Sequence, residues 1–459
     1  MRRIRTASNS ISRRRFLHST AASAALMIVP SRVLGLDGAK PPSDRLNVAG
    51  IGIGGQGSHD LEALQSENII ALCDVDTKYA APIFERYPNA KKFTDFRKML
   101  DNQPDIDAVV IATPDHLHAC IAMDAIKRGK HIYCEKPLTH NVWEARQLGE
   151  AARAHNVATQ MGNQGQASEE TRRLSEMIAD NAIGQVREVH VWTDRPANGL
   201  FNEYWPQGVA RPADTPATPA TLDWNLWLGP APERPYHPTY LPFRWRGWWD
   251  FGTGALGDIG CHALDPVFRA LKLGHPTSVE ASSTRVNTET YPLASLVTYH
   301  FPARGTMPEL KLVWYDGGLR PPRPAELEAN VEMGVNGHLF IGDEGKILDL
   351  HTPTRRGYSL IPESRARDYG DPPKTLPRSI GHYQEWIAAC KGGPPAGSSF
   401  DWAGPLTEVV LLGNVALRPE MREELTQHKL FWDGPSLRFT NSDAANQFLR
   451  REYRPGWSL

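Results

Sequence analysis

Short apolar runs alternate with helix-like stretches along the first third of the chain. Leu46-Asn47-Val48-Ala49-Gly50-Ile51 is a strand-length run ending near glycine, and Ser58 to Gln65 reads as a helix. Ile69-Ile70-Ala71-Leu72-Cys73 and Asp107-Ala108-Val109-Val110-Ile111-Ala112 are further strands, the second closed by Thr113-Pro114. Continuous apolar runs of this length suit strands buried on both faces of a parallel sheet. Leu117 to Arg128 predicts a helix stopped by Gly129, and His131-Ile132-Tyr133-Cys134 is the next strand. Asn141 with Glu144 makes the asparagine form of a capping box, opening a helix through about His155. This alternation predicts an α/β fold with a doubly wound parallel sheet. In such sheets ligands gather at the carboxyl ends of the strands. Gly52, Asp74, Thr113 and Lys136 all fall there.

Further along, the pattern loosens. Residues 337–348 read as a hairpin about Asp343-Glu344-Gly345, His382 and Glu385 open a helix ending at Cys390, and Leu406 to Leu417 is an apolar helix. Arg211-Pro212 through Ala220 is a proline-rich surface excursion. The first forty residues are of another kind. Ser12-Arg13-Arg14-Arg15-Phe16-Leu17 precedes a weakly apolar run, Ala21 to Val29, in the order of an export signal. The run is far short of the ~20 residues that span a bilayer, so no stable membrane anchor is expected. Paired arginines before Phe16-Leu17 resemble a twin-arginine address, which implies folded export to the periplasm. Four segments follow: a signal over 1–39, a dinucleotide domain over 40–165, a second α/β domain over 166–400, and a helix and tail over 401–459.

Composition narrows the partners. Among 459 residues, 51 basic and 52 acidic side chains leave no basic field, so nucleic acid is not an expected partner. Five scattered cysteines without a CxxC pair suggest neither a disulfide framework nor zinc. His116 and His118, two apart with no further ligand close by, make a poor metal site, and no metal is expected.

The chemistry concentrates in a few short stretches. Gly52-Ile53-Gly54-Gly55-Gln56-Gly57 fits GxGxxG between strand and helix. The first glycine permits a tight turn, the second admits a pyrophosphate, and the third lets the helix pack close with its N-terminus toward the phosphates. Asp74 ends the next strand, where a carboxylate accepts ribose hydroxyls and repels a 2′-phosphate, so NAD is the expected cofactor. Asp258 and His262, four apart, share one helix face. Seven of the 13 tryptophans lie between Trp192 and Trp249. Trp248 and Trp249, with Arg246 beside them, are candidates for a sugar-binding wall.

Gly52 to Gly57, Ala112-Thr113-Pro114-Asp115-His116-Leu117-His118, Cys134-Glu135-Lys136-Pro137 and Gly257-Asp258-Ile259-Gly260-Cys261-His262 occur in that order. Together they resemble the Gfo/Idh/MocA oxidoreductases, the glucose–fructose oxidoreductase and inositol dehydrogenase group. The resemblance runs from about Arg45 to Arg418. It implies an N-terminal Rossmann domain, a C-terminal α/β domain with an open mixed, mainly antiparallel sheet, a homo-dimer or homo-tetramer, and chemistry on sugars or polyols. It casts His262 as acid or base at the reacting hydroxyl, Asp258 as orienter of the substrate or of that base, and Lys136 as the polarising cation. It places Thr113, Pro114 and His118 beside the nicotinamide ribose, Glu135 as a positioner, and Asn163 and Gln164 on the cofactor's other flank.

Export sharpens this picture. A compartment without an NAD pool demands a tightly held cofactor regenerated within the site. A coupled sugar oxidoreductase meets that demand, and so does an epimerase. A redox-neutral glycosidase, which oxidises, eliminates and re-reduces, is the alternative; Lys136 favours the oxidoreductase, since by resemblance that branch often replaces it. A non-catalytic sugar-binding protein is the second alternative.

Overall fold

The computed structural model describes residues 44–197, 203–351, 356–424 and 429–459. The arginine-led segment lies outside them. β1 (Asn47–Ile51), β2 (Asn68–Cys73), β3 (Lys91–Phe93), β4 (Ala108–Ile111), β5 (His131–Cys134) and β6 (Thr159–Met161) form one sheet in the order β3-β2-β1-β4-β5-β6. Every pairing in it is parallel. This is a Rossmann sheet, with its order reversing beside β1. All four residues of β4 are buried, as the unbroken apolar run requires.

Its helices include α1 (Gln56–Ala63), α2 (Phe96–Asn102), α3 (Asp115–Lys127) and α4 (Val142–Ala154). The capping box at the start of α4 is formed in both directions, Asn141 accepting from the Glu144 amide and Glu144 from the Asn141 amide. Each such cap contributes about 1 kcal/mol.

β7 (Val186–Trp192), β8 (Ser278–Ser283), β9 (Ser295–Phe301), β10 (Leu310–Tyr315), β11 (Gly337–Gly342), β12 (Lys346–His351), β13 (Arg356–Ile361), β14 (Leu430–Asp433) and β15 (Arg438–Phe439) make the second sheet. Its order is β13-β12-β11-β7-β10-β9-β8-β14-β15. Only β7 with β10 is parallel, so the sheet is mixed and mainly antiparallel. The hairpin at residues 337–348 is β11 and β12, with Leu339 opposite Leu348. β14 and β15 lie past residue 401, so that stretch also extends the second sheet, beyond the expected helix and tail.

α5 (Gly254–Ala263), α6 (His382–Cys390) and α7 (Phe400–Ala416) complete the site's framework. α7 is apolar on nearly every side and correspondingly buried, packed against both α4 and α5. It thereby braces the helix carrying Asp258 and His262 against the Rossmann layer. Truncating a fully buried side chain in it, such as Leu412, costs about 2–5 kcal/mol.

Candidate active site

A cleft opens at the carboxyl ends of β1, β2, β4 and β5, and residues 226–262 form its facing wall. Gly52, with φ +74°, turns the chain tightly out of β1 and lies against the backbone of Ala112 and Thr113. Any Cβ there would collide with β4's end, so only glycine fits. Gly57 does not face the cleft; a side chain on it would strike the Gly52 carbonyl, so it lets α1 pack on the turn. Gly54, Gly55 and Gln56 line the cleft, with the ring of Tyr79 lying on Gly54. Sequence reasoning missed Tyr79, since nothing in a loop tyrosine's neighbours signals that contact.

Asp74 reaches the cleft and braces the glycine turn. Its Oδ2 accepts the Ile53 amide at 3.0 Å and its Oδ1 the Asp76 amide at 3.0 Å. Burial pushes its pKa up to about 6, against those hydrogen bonds. Thr113 and Pro114 line the cleft, and the Thr113 hydroxyl is buried without a partner among the described residues. A bare glycine turn, the positive end of α1, a strand-end carboxylate and this unpaired hydroxyl together fit a dinucleotide.

His118 does not reach the cleft. It is 1% exposed, and its ring nitrogens lie 2.8 Å from the Pro137 and 2.8 Å from the Thr113 carbonyls. It therefore joins the two loops that face the cofactor site from behind. His116 is likewise enclosed, its nitrogens on the Phe251 and Trp227 carbonyls. Among the described residues no cluster of three His, Cys, Asp or Glu could hold a metal. Asn163 also misses the cleft; it is 0% exposed and its side-chain amide has no partner among the described residues. Its neighbour Gln164 does line it, donating to Glu135 Oε1 at 2.9 Å and to the Tyr133 hydroxyl at 3.1 Å.

The reacting end is a charge cluster drawn from both domains. Lys136 Nζ donates to Asp258 Oδ1 at 2.7 Å and to the Asp258 carbonyl at 3.0 Å. Arg246 Nε donates to the same Oδ1 at 2.9 Å. Burial alone would raise the Asp258 pKa, but the charges of Lys136 and Arg246 hold it well below the usual carboxylate range. Asp258 itself sits behind these two cations, which line the cleft. His262 lines it one turn further along α5. Burial, helped by the Lys136 charge, pushes the His262 pKa down to about 3. The imidazole is thus neutral at ordinary pH, and a titration near 6.5 does not belong to it.

Two carboxyl groups nearby behave oppositely to Asp258. Burial, with the Asp60 charge, pushes Glu135 well above its ordinary pKa. Asp115 accepts the Thr253 hydroxyl at 2.6 Å, yet burial still pushes it up to about 7. Asp115 lines the cleft and was not singled out in the sequence, where it reads as a helix-opening aspartate.

The tryptophan wall is not where Trp248 and Trp249 are. Trp248, 1% exposed, is buried in an aromatic cluster with Tyr240 and Phe251. Trp249, 6% exposed, packs its ring on Tyr291 at 3.6 Å. On the second-domain wall the rings that line the cleft are Trp227, Phe243 and Trp245. The short 3₁₀ turn Arg244–Gly247 carries Trp245 to the cleft, while Trp248, just past it, packs into the aromatic cluster. Arg246 lies on two of them, 3.8 Å from the Phe243 centroid and 4.2 Å from that of Trp245.

A glycine-turned Rossmann sheet with a lysine–carboxylate–imidazole group at its strand ends defines a dinucleotide-dependent oxidoreductase of the α/β class. Residues 46–163 match the model for the oxidoreductase family's NAD-binding Rossmann fold, and residues 168–306 match its C-terminal alpha/beta domain. The chain belongs to the Gfo/Idh/MocA family. It is 29% identical over 203 residues to a levoglucosan dehydrogenase of Pseudarthrobacter phenanthrenivorans, spanning 44% of this chain and 42% of that one. To an inositol 2-dehydrogenase of Arthrobacter sp. it is 31% identical over 168 residues, 35% of this chain and 50% of the relative. The chain thus spans half or less of these curated relatives. Among solved structures it is similar to GenD2 from gentamicin A biosynthesis in complex with NAD, at TM-score 0.55 and 20% identity over 85% of this chain and 97% of that one. Levoglucosan dehydrogenase in complex with NADH and levoglucosan gives TM-score 0.53 and 20% identity over 81% and 97%. At that identity the likeness is one of fold.

Proposed function

We propose that the protein oxidises a hydroxyl of a sugar or glycoside, using an NAD that it holds tightly and regenerates without release. The carrying observation is the pairing of Lys136 and Arg246 on one carboxylate beside a neutral His262, at the mouth of a dinucleotide cradle. Relatives named for levoglucosan and inositol support a sugar or polyol substrate.

Bound NAD supplies the hydride acceptor. The residues supply the rest. Lys136 spends two of its three N–H donors on Asp258, leaving one for the substrate oxygen as its negative charge develops. A ring nitrogen of the neutral His262 is free to accept the hydroxyl proton. Asp258 fixes Lys136 and Arg246 rather than touching the proton. Trp227, Phe243 and Trp245 offer apolar faces suited to sugar C–H groups.

Export to the periplasm as a folded protein is part of this reading, supported by Ser12-Arg13-Arg14-Arg15-Phe16-Leu17 and the apolar run after it. The test is to extract purified protein for nicotinamide nucleotide, then follow the nicotinamide absorbance as sugars and aryl glycosides are added. Extracted NAD, reduction without added nucleotide and a keto-sugar product are expected. Release of aglycone without net oxidation means a glycosidase. Strict dependence on added NAD with free NADH accumulating means an ordinary dehydrogenase, and absence of any nucleotide means a binding protein.

A further inference from the structure

Residues 449–459 run back across both halves of the molecule. The Trp143 amide donates to the Leu449 carbonyl at 2.9 Å, and Glu144 Oε1 accepts from the Tyr453 hydroxyl at 2.7 Å and from Arg451 Nε at 3.2 Å. Arg454 then donates to the Asn225 carbonyl at 2.6 Å and to the Gly229 carbonyl at 3.0 Å. The segment is therefore fastened first to α4 of the Rossmann half and next to the second domain.

It ends at the cleft. The Trp457 indole lies 6.1 Å from the Phe96 ring, under the Arg97 guanidinium at 4.8 Å. It lines the cleft with Phe96, Leu117 and Ile121. Phe96 opens the helix after β3, the strand next to β2 and Asp74, so this apolar slot lies off the ribose-binding end, away from Lys136. A flat heteroaromatic base suits such a slot. A second fastening backs the ribose loop: the Thr77 amide and hydroxyl both donate to the Thr221 carbonyl, at 2.9 and 3.1 Å, and the Asp223 amide donates to the Val75 carbonyl at 2.9 Å.

We propose that Trp457 is a cofactor-binding residue whose indole walls the adenine slot, and that the strap carrying it slows release of the dinucleotide. This rests on the reading that NAD is retained. The Thr221–Asp223 clip acts with it by holding the ribose loop shut.

The test dilutes holoprotein into an enzyme system that scavenges free NAD and times the loss of bound nucleotide. Wild type is compared with Trp457→Ala and Trp457→Phe. Trp457→Ala should release NAD roughly 10-fold faster or more, the weight of a base stacked on an indole, and Trp457→Phe should stay near wild type. ADP-ribose and nicotinamide mononucleotide are then compared as displacing agents. Trp457→Ala should blunt displacement by ADP-ribose, which carries the adenine, and leave that by the mononucleotide unchanged. Equal release from wild type and Trp457→Ala, or equal weakening of both displacing agents, overturns the proposal. If wild type itself sheds its nucleotide within seconds, the retained-cofactor reading fails, while the ADP-ribose comparison still decides the slot.

Discussion

The two ends of the cleft are built on different principles. At the nucleotide end the work is done by backbone: a turn that only glycine can make at Gly52, amides of Ile53 and Asp76 on one carboxylate, and the start of α1. Its parts lie within about thirty residues of one another. At the reacting end the work is done by side-chain charge, with Lys136 and Asp258 separated by 122 positions in the chain. The nucleotide end is held by peptide units at the strand ends, whose amides are fixed on the Asp74 carboxylate. The reacting end holds its shape only while two cations and one carboxylate remain balanced.

That difference can be broken experimentally. Lys136→Met should slow oxidation by on the order of 10²–10³-fold, since it removes the cation at the reacting oxygen. Bound NAD should be retained, as measured by nucleotide extraction beside single-turnover reduction. Loss of NAD along with activity would show that the two ends are not separable. Gly52→Ala should do the reverse, losing the nucleotide and about 1–3 kcal/mol or more of stability through strain at φ +74° and the clash with β4. Thermal melting and nucleotide content check it; a variant that still copurifies with NAD would contradict the geometry.

Smaller effects sharpen the electrostatics. Asp115, raised to about 7, takes on charge as pH rises through neutrality, and that negative charge among Lys136, Arg246 and Asp258 makes the site readier to take up the hydroxyl proton. Oxidation should therefore increase severalfold across pH 6 to 8, with that limb absent in Asp115→Asn. The sign for stability is opposite. An acid whose folded pKa is raised binds extra protons when folded, so its contribution is full below ~3.8 and lost as pH rises through about 7. Asp115→Asn should accordingly gain melting temperature relative to wild type at pH 8, and less at pH 5. A limb that survives in Asp115→Asn would assign it elsewhere. Smallest of all, Trp249→Phe should leave the sugar KM within about twofold, because the ring packs on Tyr291 and not on the cleft. A Trp245→Ala variant, whose ring faces the cleft, is the matched comparison in the same KM assay.

The nucleotide end was legible in residue order because its parts are local. A glycine pattern, a strand length and a carboxylate twenty residues on are all readable without knowing the fold, and the alternation of Ile51, Cys73, Ile111 and Cys134 strand ends followed the same logic. Lys136 at a strand end and the Asp258–His262 pair on one helix face were legible locally, but their roles came only through resemblance to a family, since nothing in the spacing of 136 and 258 predicts a contact. What tertiary structure alone decided is direction and burial. Whether Trp248, Trp249 or Trp245 meets the cleft depends on a 3₁₀ turn of four residues, and whether His118 faces ligand or carbonyl depends on how two loops close around it. The neutrality of His262 and the raised pKa of Asp115 are likewise properties of enclosure. Sequence sets which groups can ionise, but the desolvation that moves them arises only when distant segments pack together.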